Sequence, residues 1–385
     1  MRICILGRSN YILLQERVKN LVNLSHDVHV VTIGKRNEDL QNSGATIHHV
    51  NVPLELGALR YLQALPKIRQ LLMQLQPDAI DVHGLSSYGA YGLLPLNSIP
   101  FVATMYGPDV NVHGRNSRLL AMIIRRCLHK ADLVYGSTPT AHEYIKDVLK
   151  IDIRKKFISR SWGIDIKGID DAKSERRTQI RSEYGISNNT KVILHNRHFA
   201  HYSRVQNIVE CIPRVLSCHP DTEFWFVYPP LNQEGQRTLQ EAQDRVVQLG
   251  TQKAVRFLGA QPYDRMISIM HASDVYLCIV ESDLLASSIL EALATDLIPV
   301  LNDLQAYHEV IEHGSNGLLL ESVEVDKVAR TLIEVLKNFD RWQPSFAEKN
   351  KKLIKKNYDS YSNTAWLAEQ FATLSDKDKS ALARL

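Results

Sequence analysis

Metal-type cysteine spacing is missing from this chain of 385 residues. The five cysteines (Cys4, Cys127, Cys211, Cys218, Cys278) are scattered and odd in number, with no Cys-x-x-Cys pair. The expectation is buried free thiols in a reducing compartment and no metal. No stretch approaches the roughly 18 apolar residues that a membrane-spanning helix needs. The apolar run Ile3 to Leu6 is too short for the hydrophobic region of a signal peptide. Together these predict a cytoplasmic protein, soluble or peripheral. Strong charge is missing too: a net +4 suits anionic ligands or a membrane surface and is too weak to argue for nucleic acid. Short repeats and low-complexity segments are absent.

What is present is alternation. Near-continuous apolar runs at Ile3 to Leu6, Val28 to Ile33, Ile47 to Val52, Ala79 to Val82, Phe101 to Met105 and Leu133 to Gly136 read as buried strands with helices between them. A charged segment, Asp165 to Arg181, reads as an interdomain linker leading into a solvated helix. A second series follows, with strands at Val192 to His195, Glu223 to Tyr228, Val255 to Leu258, Val275 to Ile279 and Ile298 to Leu301. The fold class expected is α/β, with two Rossmann-like domains facing each other across a ligand-binding cleft. The expected boundaries are 1–165 and 166–362. A C-terminal helix over about 363–385 would pack back across the junction.

The stretch VESDLLASSILEALATDLIPV, residues 280–300, is the most suggestive. Ser287 and Ser288 are good N-cap residues for a short helix from about Ser287 to Ala294. Such a helix start offers unpaired N–H groups and a positive dipole end, an anion site suited to phosphate. Glu291 lies one turn in, on the same face, within reach of a sugar hydroxyl. Read alone, the stretch also fits a capped helix with an ordinary surface glutamate.

Residues 289–320, ILEALATDLIPVLNDLQAYHEVIEHGSNGLLL, resemble L-E-A-M-A-x-G-x-I-P-V followed by E-x-I-x-x-G-x-N-G. That is the pattern of the GT-B family 4, group 1 glycosyltransferases, and the resemblance extends over most of the chain. It implies a retaining transferase of a nucleotide-diphosphate sugar. The family places two acidic residues eight apart, here Asp283 and Glu291, the first near the donor sugar and the second on the ribose. Glu281 rivals Asp283, and Glu309 stays open between a family position and a surface residue. HNRHFAHYSRVQNIVECIP matches a family arginine at Arg197, which the resemblance places on the diphosphate. The family lysine position holds Ser203, with Arg204 beside it as a substitute cation. Ser287, Ser288 and Ile289 complete the implied donor set. PFVATMYGPDVN resembles I-P-x-V-x-T-x-H-G-x-D, with Tyr106 replacing the family histidine and followed by Gly107 and Asp109 on the acceptor side. DVHGLSSYG resembles an acceptor loop and offers His83. SWGIDI matches a hinge with Gly163 and Asp165. The glycine-rich first loop is replaced by Gly7-Arg8-Ser9-Asn10, which makes Ser9 an acceptor-side residue and leaves the shape of that site open. Asp283, Tyr106 and His83 are the catalytic candidates.

No cofactor is expected; the donor, a UDP-sugar by expectation, is a substrate, and the acceptor is a glycan, a lipid-linked or a small molecule. The helix Arg118 to Lys130 mixes Leu119, Leu120, Met122, Ile123 and Ile124 with Arg118, Arg125, Arg126, His129 and Lys130. It suits an anionic membrane surface, but its nearly contiguous apolar residues favour covering a sheet. His195, His198 and His201 lack the carboxylate company of a metal site. The run Lys349 to Lys356 reads as a solvated face. A sugar-nucleotide epimerase is a second reading; it needs an acid–base carboxylate pair that the N-terminal half does not offer. A catalytically silent binder is a third, motivated by the departures at Asp283, Ser203 and Tyr106.

Overall fold

The computed structural model describes residues 1–34, 40, 42–53, 57, 59–95, 99–106, 109–171 and 173–382. The chain divides into two compact units, Met1–Gly163 with Asp359–Leu385, and Ile164–Tyr358. In the first, strands β1 (Arg2–Leu6), β2 (Asp27–Ile33), β3 (Thr46–Val50), β4 (Ala79–His83), β5 (Phe101–Thr104), β6 (Leu133–Gly136) and β7 (Phe157–Ser159) form one sheet in the order β3-β2-β1-β4-β5-β6-β7. Every paired neighbour runs parallel. Helices α1 (Ile12–Asn23), α2 (Leu59–Leu75), α3 (Arg118–Lys130) and α4 (Thr140–Leu149) make the connections. The apolar runs are continuous because these strands are covered on both faces; all five residues of β4 are buried.

The second unit repeats the plan with β8 (Lys191–His195), β9 (Thr222–Val227), β10 (Val255–Gly259), β11 (Val275–Cys278), β12 (Ile298–Asn302) and β13 (Leu318–Leu320), ordered β10-β9-β8-β11-β12-β13. Its helices are α5 (Ile166–Asp170), α6 (Lys173–Glu183), α7 (Val205–Cys218), α8 (Gln233–Gln248), α9 (Tyr263–Ala272), α10 (Ser287–Ala294), α11 (Val325–Lys337) and α12 (Phe339–Asn357). The last helix, α13 (Ser360–Leu382), returns to the first unit and packs on α1, placing Leu367, Ala368 and Phe371 in that unit's core. Gly163 makes the return possible: its φ is +75° and a Cβ there would lie 2.6 Å from the Ser360 nitrogen.

The charged segment does not behave as a linker. From Ile164 onward it belongs to the second unit, and α6 lies against α9. Ile180 and Arg181 are both 2% exposed. The Arg181 guanidinium donates to the carbonyls of Ala272, Ser187 and Thr190 and pairs with Asp274. The expected solvated helix is there, but it is anchored by one isoleucine and one caged arginine that its low apolar content did not reveal. In α3, Ala121, Ile123, Ile124, Cys127 and Leu128 turn inward, while Leu119 and Met122 are 52% and 57% exposed. The lysines of α12 are exposed, as expected, and its other face buries Phe346, Asn350 and Ile354.

Both sheets reverse direction of growth at one point, between β1 and β4 and between β8 and β11. In open parallel sheets, ligands bind beyond the carboxyl ends of the strands at such a switch point. The two places to search are therefore the segments after β1 and β4, and those after β8 and β11.

Candidate active site

Arg197 follows β8 and Asp283 follows β11, so the second switch point brings them together. The Arg197 Nη2 donates to Asp283 Oδ2 at 3.0 Å, and its Nη1 lies 3.4 Å from the Ser288 hydroxyl. The Tyr307 hydroxyl donates to the same Asp283 oxygen at 3.0 Å, and the Leu284 N–H to the other at 2.8 Å. A carboxylate offers about four acceptor positions, so Asp283 is close to saturated. The Tyr276 hydroxyl donates to Ser288 Oγ at 3.0 Å.

The helix α10 begins at Ser287, but its N-cap is Ala286, in extended backbone, and no side chain caps it. The expectation that Ser287 and Ser288 cap the helix is corrected. Ser287 is the first helical residue, and the Ser288 hydroxyl turns to Tyr276 and Arg197 instead of back to the helix. With no side-chain cap, the first-turn N–H groups keep their outward dipole end. Ile289 packs wholly into the core and its N–H bonds the Ala286 carbonyl at 3.0 Å. Glu291 is only 7% exposed; burial raises its carboxyl to about 7, against a hydrogen bond from Tyr263 that lowers it.

Glu281 and Asp283 part company. Asp283 joins the partly buried Arg197, whereas the half-exposed Glu281 pairs with Arg204 at 2.6 Å. Arg204 has a φ of +47° at the N-cap of α7, a left-handed conformation that glycine holds at least cost, while Ser203 is buried. His195 is buried against the Leu277 carbonyl at 2.9 Å and the His201 side chain is 85% exposed. Among the described residues no group of three His, Cys, Asp or Glu side chains has ligating geometry. Glu309 closes a short helical turn, partly exposed. The downstream Asn316 is structural: it accepts from the Glu312 N–H and exchanges amide bonds with Asn350.

At the first switch point, His83 ends β4. Its Nε2 contacts Asp81 Oδ2 at 2.8 Å and its Nδ1 contacts the Tyr106 hydroxyl at 3.0 Å. Asp81 also accepts from Arg17 at 3.2 Å and from Thr104 at 2.5 Å. Burial pushes Asp81 up, but His83, Arg17 and Thr104 outweigh it and bring it down to about 2. Burial lowers His83, so a neutral ring donates from Nε2 to Asp81 and accepts a hydrogen bond from the Tyr106 hydroxyl at Nδ1. Trp162 stacks on Tyr106 with centroids 5.2 Å apart.

Asp109 is buried and accepts the N–H groups of Leu85, Ser86 and Tyr106 and the Ser86 hydroxyl. It holds the loop in shape. Ser9 is buried and its carbonyl accepts from Gln15 at 2.8 Å. Gly107 lies outside the described residues. Asp165 caps α5 by accepting the Gly168 N–H at 2.9 Å. A cavity of about 80 Å³ opens here, lined by Arg8, Tyr11, His83, Ser86, Tyr106 and His113 among others. Sequence reading passed over Arg8, Tyr11, Arg17 and Asp81. One signal was present: in Asp81-Val82-His83, residues two apart share one face of a strand.

Residues 2–138 match the family described as "Glycosyl transferase 4-like", and residues 176–360 match "Glycosyl transferases group 1". Among curated relatives, the N-acetyl-alpha-D-glucosaminyl L-malate synthase of Bacillus anthracis is 26% identical over 334 residues, 83% of this chain and 82% of that one. Among solved structures, Anabaena Alr3699/HepE in complex with UDP superposes with a TM-score of 0.81 at 16% identity, over 97% of this chain and 100% of that one. A glycosyltransferase from Rickettsia africae ESF-5 gives 0.79 at 14% identity, over 97% and 98%. With both units matched and the fold shared along nearly its whole length, the chain belongs to the GT-B glycosyltransferases of family 4, group 1.

Proposed function

We propose that this glycosyltransferase is a retaining, metal-independent enzyme that moves a sugar from a UDP-sugar to a glycan, lipid-linked or small-molecule acceptor in polysaccharide or glycoconjugate biosynthesis. The observation that carries the reading is the convergence of Arg197, Ser288 and the uncapped start of α10, with Glu291 buried one turn in. The helix start and Arg197 suit a diphosphate, by dipole and by a two-pronged charge. Glu291 suits a ribose hydroxyl. Asp283 orients Arg197 and faces the donor sugar, and Arg204 becomes a second cation once it leaves Glu281. The negative charge that grows on the departing diphosphate is then met by fixed arginine and dipole charge rather than by an ion. Its oxygen takes the acceptor's proton. UDP is preferred as the donor base because the Anabaena structure was solved with it. His83 and Tyr106 would contact the acceptor, on a loop held by Asp109, with Ser9 and Gly107 as further acceptor-side residues.

Thermal shift tests the donor half. UDP at a hundredfold excess over its Kd should stabilise the wild type by about 2.7 kcal/mol, with or without EDTA. Glu291→Ala should lose most of that gain and Asp283→Ala less. Equal gains in wild type and Glu291→Ala would remove Glu291 from the site. On location, we propose peripheral binding at the cytoplasmic membrane face through Leu119 and Met122, exposed among Arg118, Arg125 and Arg126. No helix is long and apolar enough to cross a membrane among the described residues. Co-sedimentation with phosphatidylglycerol vesicles but not with phosphatidylcholine is expected; indifference to lipid charge would count against it.

A further inference from the structure

We propose that the cavity beyond β1 and β4 receives an anionic group of the acceptor, a carboxylate or a phosphate, and that Arg8 and Arg60 recognise it. The inference rests on reading the N-terminal unit as the acceptor side. It begins from a charge inventory. The one acid lining the cavity, Asp109, is saturated by three backbone N–H groups and the Ser86 hydroxyl. Behind the lining, Asp81 is 0% exposed and is consumed by Arg17, His83 and Thr104. His83, which is held neutral by burial, contributes no charge.

Two cations remain, and neither has a carboxylate within 4 Å among the described residues. Arg8 lines the cavity and donates Nη2 to the Tyr61 hydroxyl at 3.1 Å. Arg60 donates its own Nη2 to the same oxygen at 2.8 Å. The Arg60 Nε is buried and makes no hydrogen bond among the described residues, although it has a donor to give. Two guanidinium groups thus converge on one neutral phenol oxygen, where like charges repel and a buried donor goes unused. Arg60 sits in the first turn of α2, which carries no acidic residue, so the helix dipole adds to the positive field. Two other half-buried arginines of this chain do sit on carboxylates, Arg177 on Asp274 and Arg256 on Glu223. A small anion entering beside Arg8 satisfies what the protein leaves open. A cavity of about 80 Å³ leaves room for a carboxylate or a phosphate beside Arg8, since roughly 10–15 Å³ on the same measure holds a water. The acceptor's acid end then lies against Arg8 and its hydroxyl against Tyr106 and His83, which line the same cavity.

The test uses the full chain and three probes on one skeleton, at constant ionic strength: glycerol, glycerate and glycerol 3-phosphate. Glycerate or glycerol 3-phosphate should raise the Tm and glycerol should not. Whichever anion protects more names the acid. Dihexanoyl phosphatidic acid as a fourth probe separates a lipid headgroup from a free phosphate by protecting more strongly than glycerol 3-phosphate. Arg8→Gln should cost at least about tenfold in anion affinity and Arg60→Gln about threefold, with the ligand-free Tm of Arg8→Gln unchanged. Protection by no anion, or equal protection of wild type and Arg8→Gln, overturns the inference. UDP protection of the same samples keeps the two readings apart: if it persists, a failure belongs to the acceptor inference alone, and if it is missing from the wild type, the donor reading fails.

Discussion

Each unit holds an arginine–aspartate pair at its switch point, and the two pairs are finished differently. Arg17 and Asp81 are 4% and 0% exposed. The Arg17 guanidinium lies over Trp162 at 4.0 Å and Tyr135 at 4.6 Å, and the Asp81 carboxylate is taken up by Arg17, His83 and Thr104. Arg197 and Asp283 are 14% and 11% exposed, and the arginine's further contact is a long one to a serine hydroxyl. The first pair is closed and aromatic-walled, a fixture that orients His83 and through it Tyr106. The second keeps an edge to solvent and a partner that an incoming anion can replace. The same two side chains form a closed scaffold in one place and, on the proposed reading, a receptor in the other, and their burial differs accordingly.

The comparison can be broken by neutralising each acid in turn. Asp81→Asn leaves Arg17 buried without a counter-charge and should cost about 3–5 kcal/mol in urea unfolding. Asp283→Asn should cost about 1–2 kcal/mol, because water can reach Arg197 at its open edge. Equal losses would mean that the two pairs are the same kind of structure.

Glu291 gives a pH-dependent test. Its folded carboxyl titrates near 7 rather than at the ordinary 4.5, because burial favours the neutral form. Below about pH 4.5 both folded and unfolded chains carry the proton, and its stabilising effect is fully present. That effect is lost as pH rises through 7, where the folded chain must hold a buried charge. A shift of this size corresponds to about 3 kcal/mol at most. Wild-type stability relative to Glu291→Gln should therefore fall between pH 5 and pH 8, while UDP affinity rises over the same window as the carboxylate forms. A wild type that tracks Glu291→Gln at every pH would show that the carboxyl is solvated.

Much of this was legible in the sequence, for a physical reason. Strands buried on both faces are apolar at most positions, so β1, β2, β4 and β11 announce themselves, and the polar exceptions within β4 are Asp81 and His83. Edge strands need not be, and β7, three residues with partly exposed side chains, gave no such signal. The same divide runs through the site. Arg197, Asp283 and Glu291 stand in segments with a recognisable pattern. The Arg17–Asp81 contact joins residues 64 apart, and the Arg8–Tyr61 contact residues 53 apart. Pairings at that distance are made by the sheet and have no local trace. Arg204 was legible as a cation but not as a left-handed residue tied to Glu281, since conformation at a non-glycine position is set by its surroundings.

The clasp between Asn316 and Asn350 bears on how the molecule ages. Asn316 precedes Gly317, and an Asn–Gly pair is where a flexible chain most readily cyclises and loses its amide nitrogen. Cyclisation needs the glycine nitrogen to reach the asparagine side-chain carbon. Here that side chain is pinned at both ends, its oxygen by the Glu312 N–H and its nitrogen by the Val310 carbonyl and Asn350. A bond that looks like fold maintenance is also chemical protection: Asn350 of α12 adds a third restraint on an amide that Glu312 and Val310 already hold.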